Sequence, residues 1–116
     1  MAKSTTTSNL ASPWSVFVSG KYAYVTSYIN NRLCIFDVSN PDSILSKAYT
    51  NANLLSPNVV CVSGKYAYIT DFSNNSLNIF DISNPDSILT KATTVVNLSL
   101  PRGLFISGKY AYVTSV

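Results

Sequence analysis

Apolar residues fall in short runs of four to seven, separated by clusters of Ser, Asn, Gly and Pro, and the runs are too short for helices. Leu33-Cys34-Ile35-Phe36 is apolar at every position, which requires cover on both faces of a strand; a half-exposed strand would alternate. The pattern repeats. Ser19-Gly20-Lys21-Tyr22-Ala23-Tyr24 recurs as Ser63-Gly64-Lys65-Tyr66-Ala67-Tyr68 and as Ser107-Gly108-Lys109-Tyr110-Ala111-Tyr112, a period of 44 residues.

Each unit reads as four strands. The first, A, covers 15–18, 59–62 and 104–106; the second, B, covers 22–26, 66–70 and 110–114. The third, C, covers 32–38 and 76–82, and the fourth, D, covers 44–50 and 88–94. The Ser-Gly pair supplies a tight A–B turn, and Ser-Asn-Pro-Asp-Ser (39–43, 83–87) supplies the C–D turn, where Pro fixes φ and removes a ladder donor. A period of roughly 40–50 residues with four short strands per unit marks a β-propeller blade. The expected fold is therefore all-β: blades of four antiparallel strands in an incomplete arc.

Sliding the chain by one period extends the register to the N-terminus. Residues 1–11 align with strand D of a preceding blade, with Met1 at the position of Leu45 and Leu89. Residues 12–55 form blade 1, 56–99 blade 2, and 100–116 strands A and B of blade 3. The expectation is an excised or truncated piece of a longer propeller, or a gene product that closes by oligomerising. Two chains would make a ring of about six blades and three a ring of about eight; a homodimer is the first choice. Uncovered apolar faces and strand edges point to self-association.

Leu33-Cys34-Ile35-Phe36-Asp37-Val38-Ser39-Asn40-Pro41 and Leu77-Asn78-Ile79-Phe80-Asp81-Ile82-Ser83-Asn84-Pro85 resemble the LVIVD repeat, as do the Ser-Gly-Lys-Tyr-Ala-Tyr segments with the Val-Thr or Ile-Thr that follows. The resemblance covers nearly the whole chain. It departs at Cys34, Phe36, Asn78 and Phe80, where the family name calls for aliphatic residues. It implies propeller blades of bacterial and archaeal proteins, many of them surface-exposed or secreted, hence an extracellular or cell-surface location, and it supplies no catalytic residues. The N-terminal stretch has no apolar signal core.

Composition narrows the chemistry. The chain has 116 residues, no Glu, Gln or His, and a net charge of +3 from eight Lys and Arg against five Asp. Loss of two strong helix formers agrees with an all-β chain. The basic residues are spread out, so no nucleic-acid stripe forms. No run approaches the length of a membrane helix. Without His or Glu, Ser-His-Asp, Cys-His and zinc-ligand sets cannot form within one chain. The expectation is no enzyme, no catalytic residue, no cofactor and no metal; an enzyme fragment whose catalytic groups lie in other blades is a further alternative. Asp37, Asp81, Asp42 and Asp86 read as turn residues. Asp71-Phe72-Ser73-Asn74-Asn75 has too few oxygen ligands for a calcium loop. Cys34 and Cys61 occupy different repeat positions and read as unpaired packing residues.

The repeats differ mainly just before strand A (Trp14, Asn58, Arg102) and in the B–C loop (Tyr28, Asp71, Phe72). Because strands alternate in direction, the D–A and B–C connections share one face of the disc. Variable loops on a rigid scaffold are where binding residues collect, although drift on exposed loops gives the same contrast. Trp14, Tyr28, Asn58, Asp71, Phe72 and Arg102 are thus the candidate binding residues, for a protein or glycan partner. A structural, self-assembling unit of a cell-surface layer or filament without a ligand is the alternative.

Overall fold

The computed structural model describes residues 2–115. Its ten strands are β1 (Pro13–Ser19), β2 (Tyr22–Ser27), β3 (Arg32–Asn40), β4 (Ser43–Thr50), β5 (Pro57–Ser63), β6 (Tyr66–Asp71), β7 (Ser76–Asn84), β8 (Ser87–Thr94), β9 (Pro101–Ser107) and β10 (Tyr110–Ser115). They pair antiparallel in chain order as two four-stranded sheets, β1-β2-β3-β4 and β5-β6-β7-β8, and a two-stranded sheet of β9 and β10. No helix occurs among the described residues. The three sheets are successive propeller blades in an open arc.

Local chemistry explains the hairpins. Gly20, Gly64 and Gly108 hold φ of 61°, 60° and 57°, a region that costs an L side chain energy, while the space around each is open. The glycines are therefore required by the backbone alone. The C–D turn is tighter than the sequence implies. β3 runs to Asn40 and β4 begins at Ser43, leaving Pro41-Asp42 at the tip, and the Asp42 N–H donates to Asn40 Oδ1 at 3.0 Å. Asp37 Oδ1 accepts from the N–H and hydroxyl of Ser39 at 2.9 and 2.6 Å, and Asp81 does the same with Ser83. These bonds hold the carboxyls of Asp37 and Asp81 below the usual carboxylate range.

The blade faces pair by residue parity. Leu33 and Ile35 point from β3 toward blade 2, where they join Tyr24, Val60, Val62, Ala67, Ile69, Phe80 and Ile82 in one buried cluster. Cys34 and Phe36 point the opposite way and are also buried, so the run Leu33–Phe36 is covered on both faces. Strand A departs from that rule. β5 is largely buried against blade 1, whereas Val16 and Val18 of β1 are each 59% exposed, because no blade lies against their side among the described residues.

Residues 2–7 carry no strand, although the repeat register aligns them with strand D; among the described residues no strand C lies beside them to complete a ladder. This segment and the loop after it nevertheless reproduce contacts made by β4 and the D–A loop one period later. Lys3 Nζ meets Asp42 Oδ1 at 3.0 Å, as Lys47 Nζ meets Asp86 Oδ1 at 3.0 Å one period later. Asn30 Nδ2 donates to the Asn9 carbonyl as Asn74 Nδ2 donates to that of Asn53. The reading of Met1 against Leu45 lies outside the described residues.

Candidate functional site

The site begins with an irregularity shared by all three strands A. Pro13 pairs with Ser27 and Ser15 with Thr26, so Trp14 is the extra residue of a β-bulge. Arg102 is the extra residue between Pro101 and Gly103, and Asn58 sits in the matching irregularity between Pro57 and Val60. A bulge re-aims the side chain it carries and ends regular pairing. Each Pro lies at a strand's first position, where a missing N–H does least harm. Each bulge is locked by the partner Thr: Ser15 N–H donates to Thr26 Oγ1 (3.1 Å), Val59 N–H to Thr70 Oγ1 (3.2 Å) and Gly103 N–H to Thr114 Oγ1 (2.8 Å).

The B–C loops are fixed by the D–A loops. Tyr28 N–H donates to the Ser12 carbonyl and Phe72 N–H to that of Ser56, both at 3.0 Å. Below these aromatics sits one repeat position with two chemistries. Ser27 Oγ accepts from Ala11 N–H (2.8 Å), and Ser115 Oγ accepts from Ser99 N–H (2.6 Å). In blade 2 the position is Asp71, fully buried, whose carboxylate accepts from the N–H groups of Leu55 (2.7 Å), Ser56 (3.2 Å) and Asn74 (3.0 Å). Asp71 is thus a loop clamp beneath the surface and is not among the residues that line the cleft of the other five candidates.

Trp14, Tyr28, Asn58, Phe72 and Arg102 line one cleft of about 290 Å³. Blade 1 contributes the aromatic pair Trp14–Tyr28, with centroids 5.4 Å apart and planes inclined by 32°. Blade 3 contributes Arg102, whose guanidinium lies 5.0 Å from the centroid of the Phe72 ring of blade 2. Asn58 comes from between them in the repeat order, and its carbonyl accepts from Thr26 Oγ1 at 2.7 Å, which couples the floor of blade 2 to β2. Trp14 is 63% exposed, so its ring is available to a ligand. The arrangement offers apolar ring faces, one amide that can donate and accept, and one cation.

Other candidates resolve into structural roles. Cys34 and Cys61 are free thiols; Cys34 is buried and donates to the Asn9 carbonyl, and burial pushes its pKa up to about 11. Lys21, Lys65 and Lys109 lie over the rings of the Tyr residues that follow them, at 5.7, 5.7 and 5.9 Å. Among the described residues no three Cys or Asp side chains cluster as a metal site.

The LVIVD repeat profile matches residues 8–50, 58–94 and 102–116. The chain belongs to the LVIVD-repeat family. Its fold is similar to the crystal structure of a functionally unknown protein from Desulfotomaculum acetoxidans DSM 771, with a TM-score of 0.65, 21% identity and 74% of this chain covered. The chain spans 28% of that protein's length. No curated protein matches the sequence.

Proposed function

We propose that this chain is a non-enzymatic binding module whose ligand sits in the Trp14–Tyr28–Asn58–Phe72–Arg102 cleft. The observation that carries the reading is convergence. The repeats share their turns and most of their strand residues, yet the side chains that differ before strand A and in the B–C loop come together from three blades. Clefts with aromatic walls and a few fixed polar groups are the usual form of small-ligand sites. The protein's single tryptophan lies there, so its emission reports on this cleft and on the adjoining β1 surface at Val16. Glycan and peptide arrays probed with the wild type and Trp14→Ala test the reading. Loss of an aromatic anchor worth about 2 kcal/mol weakens binding roughly thirtyfold. Identical array profiles for the two proteins would remove the cleft from the function.

A second reading is favoured by the two open blade faces. Val16 and Val18 occupy the repeat positions that Val60 and Val62 fill in the interblade core, and both are exposed. Phe105 and Tyr112 occupy the positions of Phe17 and Tyr24, which pack against the next blade, and they are 66% and 57% exposed. The two faces are mating halves of one interface, so copies of the chain would associate head to tail as a self-assembling unit. Light scattering coupled to size exclusion at several concentrations tests this. A mass that rises with concentration supports it, and a monodisperse 12.6 kDa species refutes it.

A further inference from the structure

We propose that the cleft takes an acidic sugar, a pyranose ring carrying a carboxylate; the inference rests on the binding reading above and names its ligand class. The first argument is charge. The chain has five acidic residues, all Asp, and each is engaged away from the cleft. Asp37 and Asp81 hold their Ser partners, Asp42 and Asp86 pair with Lys3 and Lys47, and the Asp71 oxygens are taken by three backbone amides. Arg102, the one charged residue lining the cleft, therefore has no carboxylate partner among the described residues.

The second argument is geometry. The Arg102 guanidinium lies over the Phe72 ring, 5.0 Å from its centroid, a contact that uses none of its N–H donors on an acidic partner and leaves them for a bidentate anion such as a carboxylate. Trp14 and Tyr28 give flat apolar surface for the C–H face of a sugar ring, and the Asn58 amide can both donate to and accept from hydroxyls. A cleft of about 290 Å³ is at the small end of ligand sites and suits one ring. An acidic peptide would bring a row of backbone amides and carbonyls to walls that are mostly ring face, with the Asn58 amide, the Tyr28 hydroxyl and the Trp14 N–H as their polar groups.

The test titrates the full chain with tetrasaccharides of glucuronic, galacturonic and mannuronic acid, each beside its neutral methyl ester, and with an oligo-aspartate peptide. Trp14 emission and calorimetry are the readouts. At least one acid binds roughly tenfold or more tightly than its ester, and rising salt weakens the acid alone. Arg102→Gln, checked by its melting curve, erases the preference; Arg102→Lys restores only part of it. Equal binding of acid and ester, a preference that survives Arg102→Gln, binding of the peptide alone, or no uronate bound each overturns the proposal. Equal binding with a Trp14 response overturns the acidic class and leaves the binding reading standing. That reading falls separately, if the arrays give no Trp14-dependent signal.

Discussion

Thr26 Oγ1 is within hydrogen-bond distance of three backbone groups, accepting from Ser15 N–H at 3.1 Å and facing the carbonyls of Asn58 at 2.7 Å and Ser15 at 3.4 Å. One hydroxyl thus locks the bulge that aims Trp14 and ties it to the bulge that holds Asn58. Thr26→Val leaves a half-buried donor, Ser15 N–H, and a half-buried acceptor, the Asn58 carbonyl, unpaired. It is expected to destabilise by about 1–3 kcal/mol in urea titration. Thr114→Val, at the exposed equivalent position, is expected to cost clearly less. Equal costs would mean that the contact between blades contributes nothing.

Phe80 is 1% exposed at the centre of the interblade cluster. Phe80→Ala should cost about 3–5 kcal/mol, as for other buried aromatics. Lys21→Ala, on an exposed turn, should change stability by no more than about 0.5 kcal/mol. Denaturant midpoints at constant m-value measure both.

The clamp at Asp71 separates structure from binding. Asp71→Ser installs the side chain that Ser27 uses and keeps the bond to the Leu55 amide, so it should cost less than Asp71→Ala, for which the loss is about 1.5–3 kcal/mol. Neither carboxylate oxygen reaches the cleft, and Asp71→Ser should leave ligand affinity within about twofold of wild type, a difference of about 0.4 kcal/mol. A large affinity change with little stability change would return Asp71 to the binding residues.

Asp37 and Asp81 give a pH dependence of known sign. Their carboxyls are depressed by the Ser39 and Ser83 hydroxyls first and by the same residues' amides second. A depressed carboxyl stabilises the fold fully above its unfolded value of about 4, and the contribution disappears as pH falls through the lower folded value. The urea midpoint should therefore drop below about pH 4 in the wild type. It should drop less in the Asp37→Asn, Asp81→Asn double variant. Parallel curves would show that the two turns are not acid-sensitive.

Much of this was legible in the chain. The Ser-Gly-Lys turns, the doubly buried run at Leu33–Phe36 and the C–D prolines are local signals, and local signals specify strands and hairpins. The candidate residues were legible as differences between repeats, since a repeat copy acts as its own control. The bulges were not. Pro13, Pro57 and Pro101 mark strand starts, but nothing in the residue types says that the next side chain lies outside the ladder. Burial of Asp71 was hidden for a related reason: it depends on the D–A loop crossing beneath Phe72. The signal was present in Ser27 and Ser115, short polar residues at the same position, each able to accept from a loop amide. Exposure of β1 is not written in its residue types, but it follows from the incomplete arc that the repeat count implies, because burial of a strand A is set by the blade before it.

The most direct test of the account is the affinity of the wild type, Trp14→Ala and Arg102→Gln for the uronic-acid tetrasaccharides, measured by calorimetry on proteins with matched melting curves. The account expects wild-type binding to fall roughly thirtyfold in Trp14→Ala and roughly tenfold or more in Arg102→Gln. Three indistinguishable isotherms would contradict it.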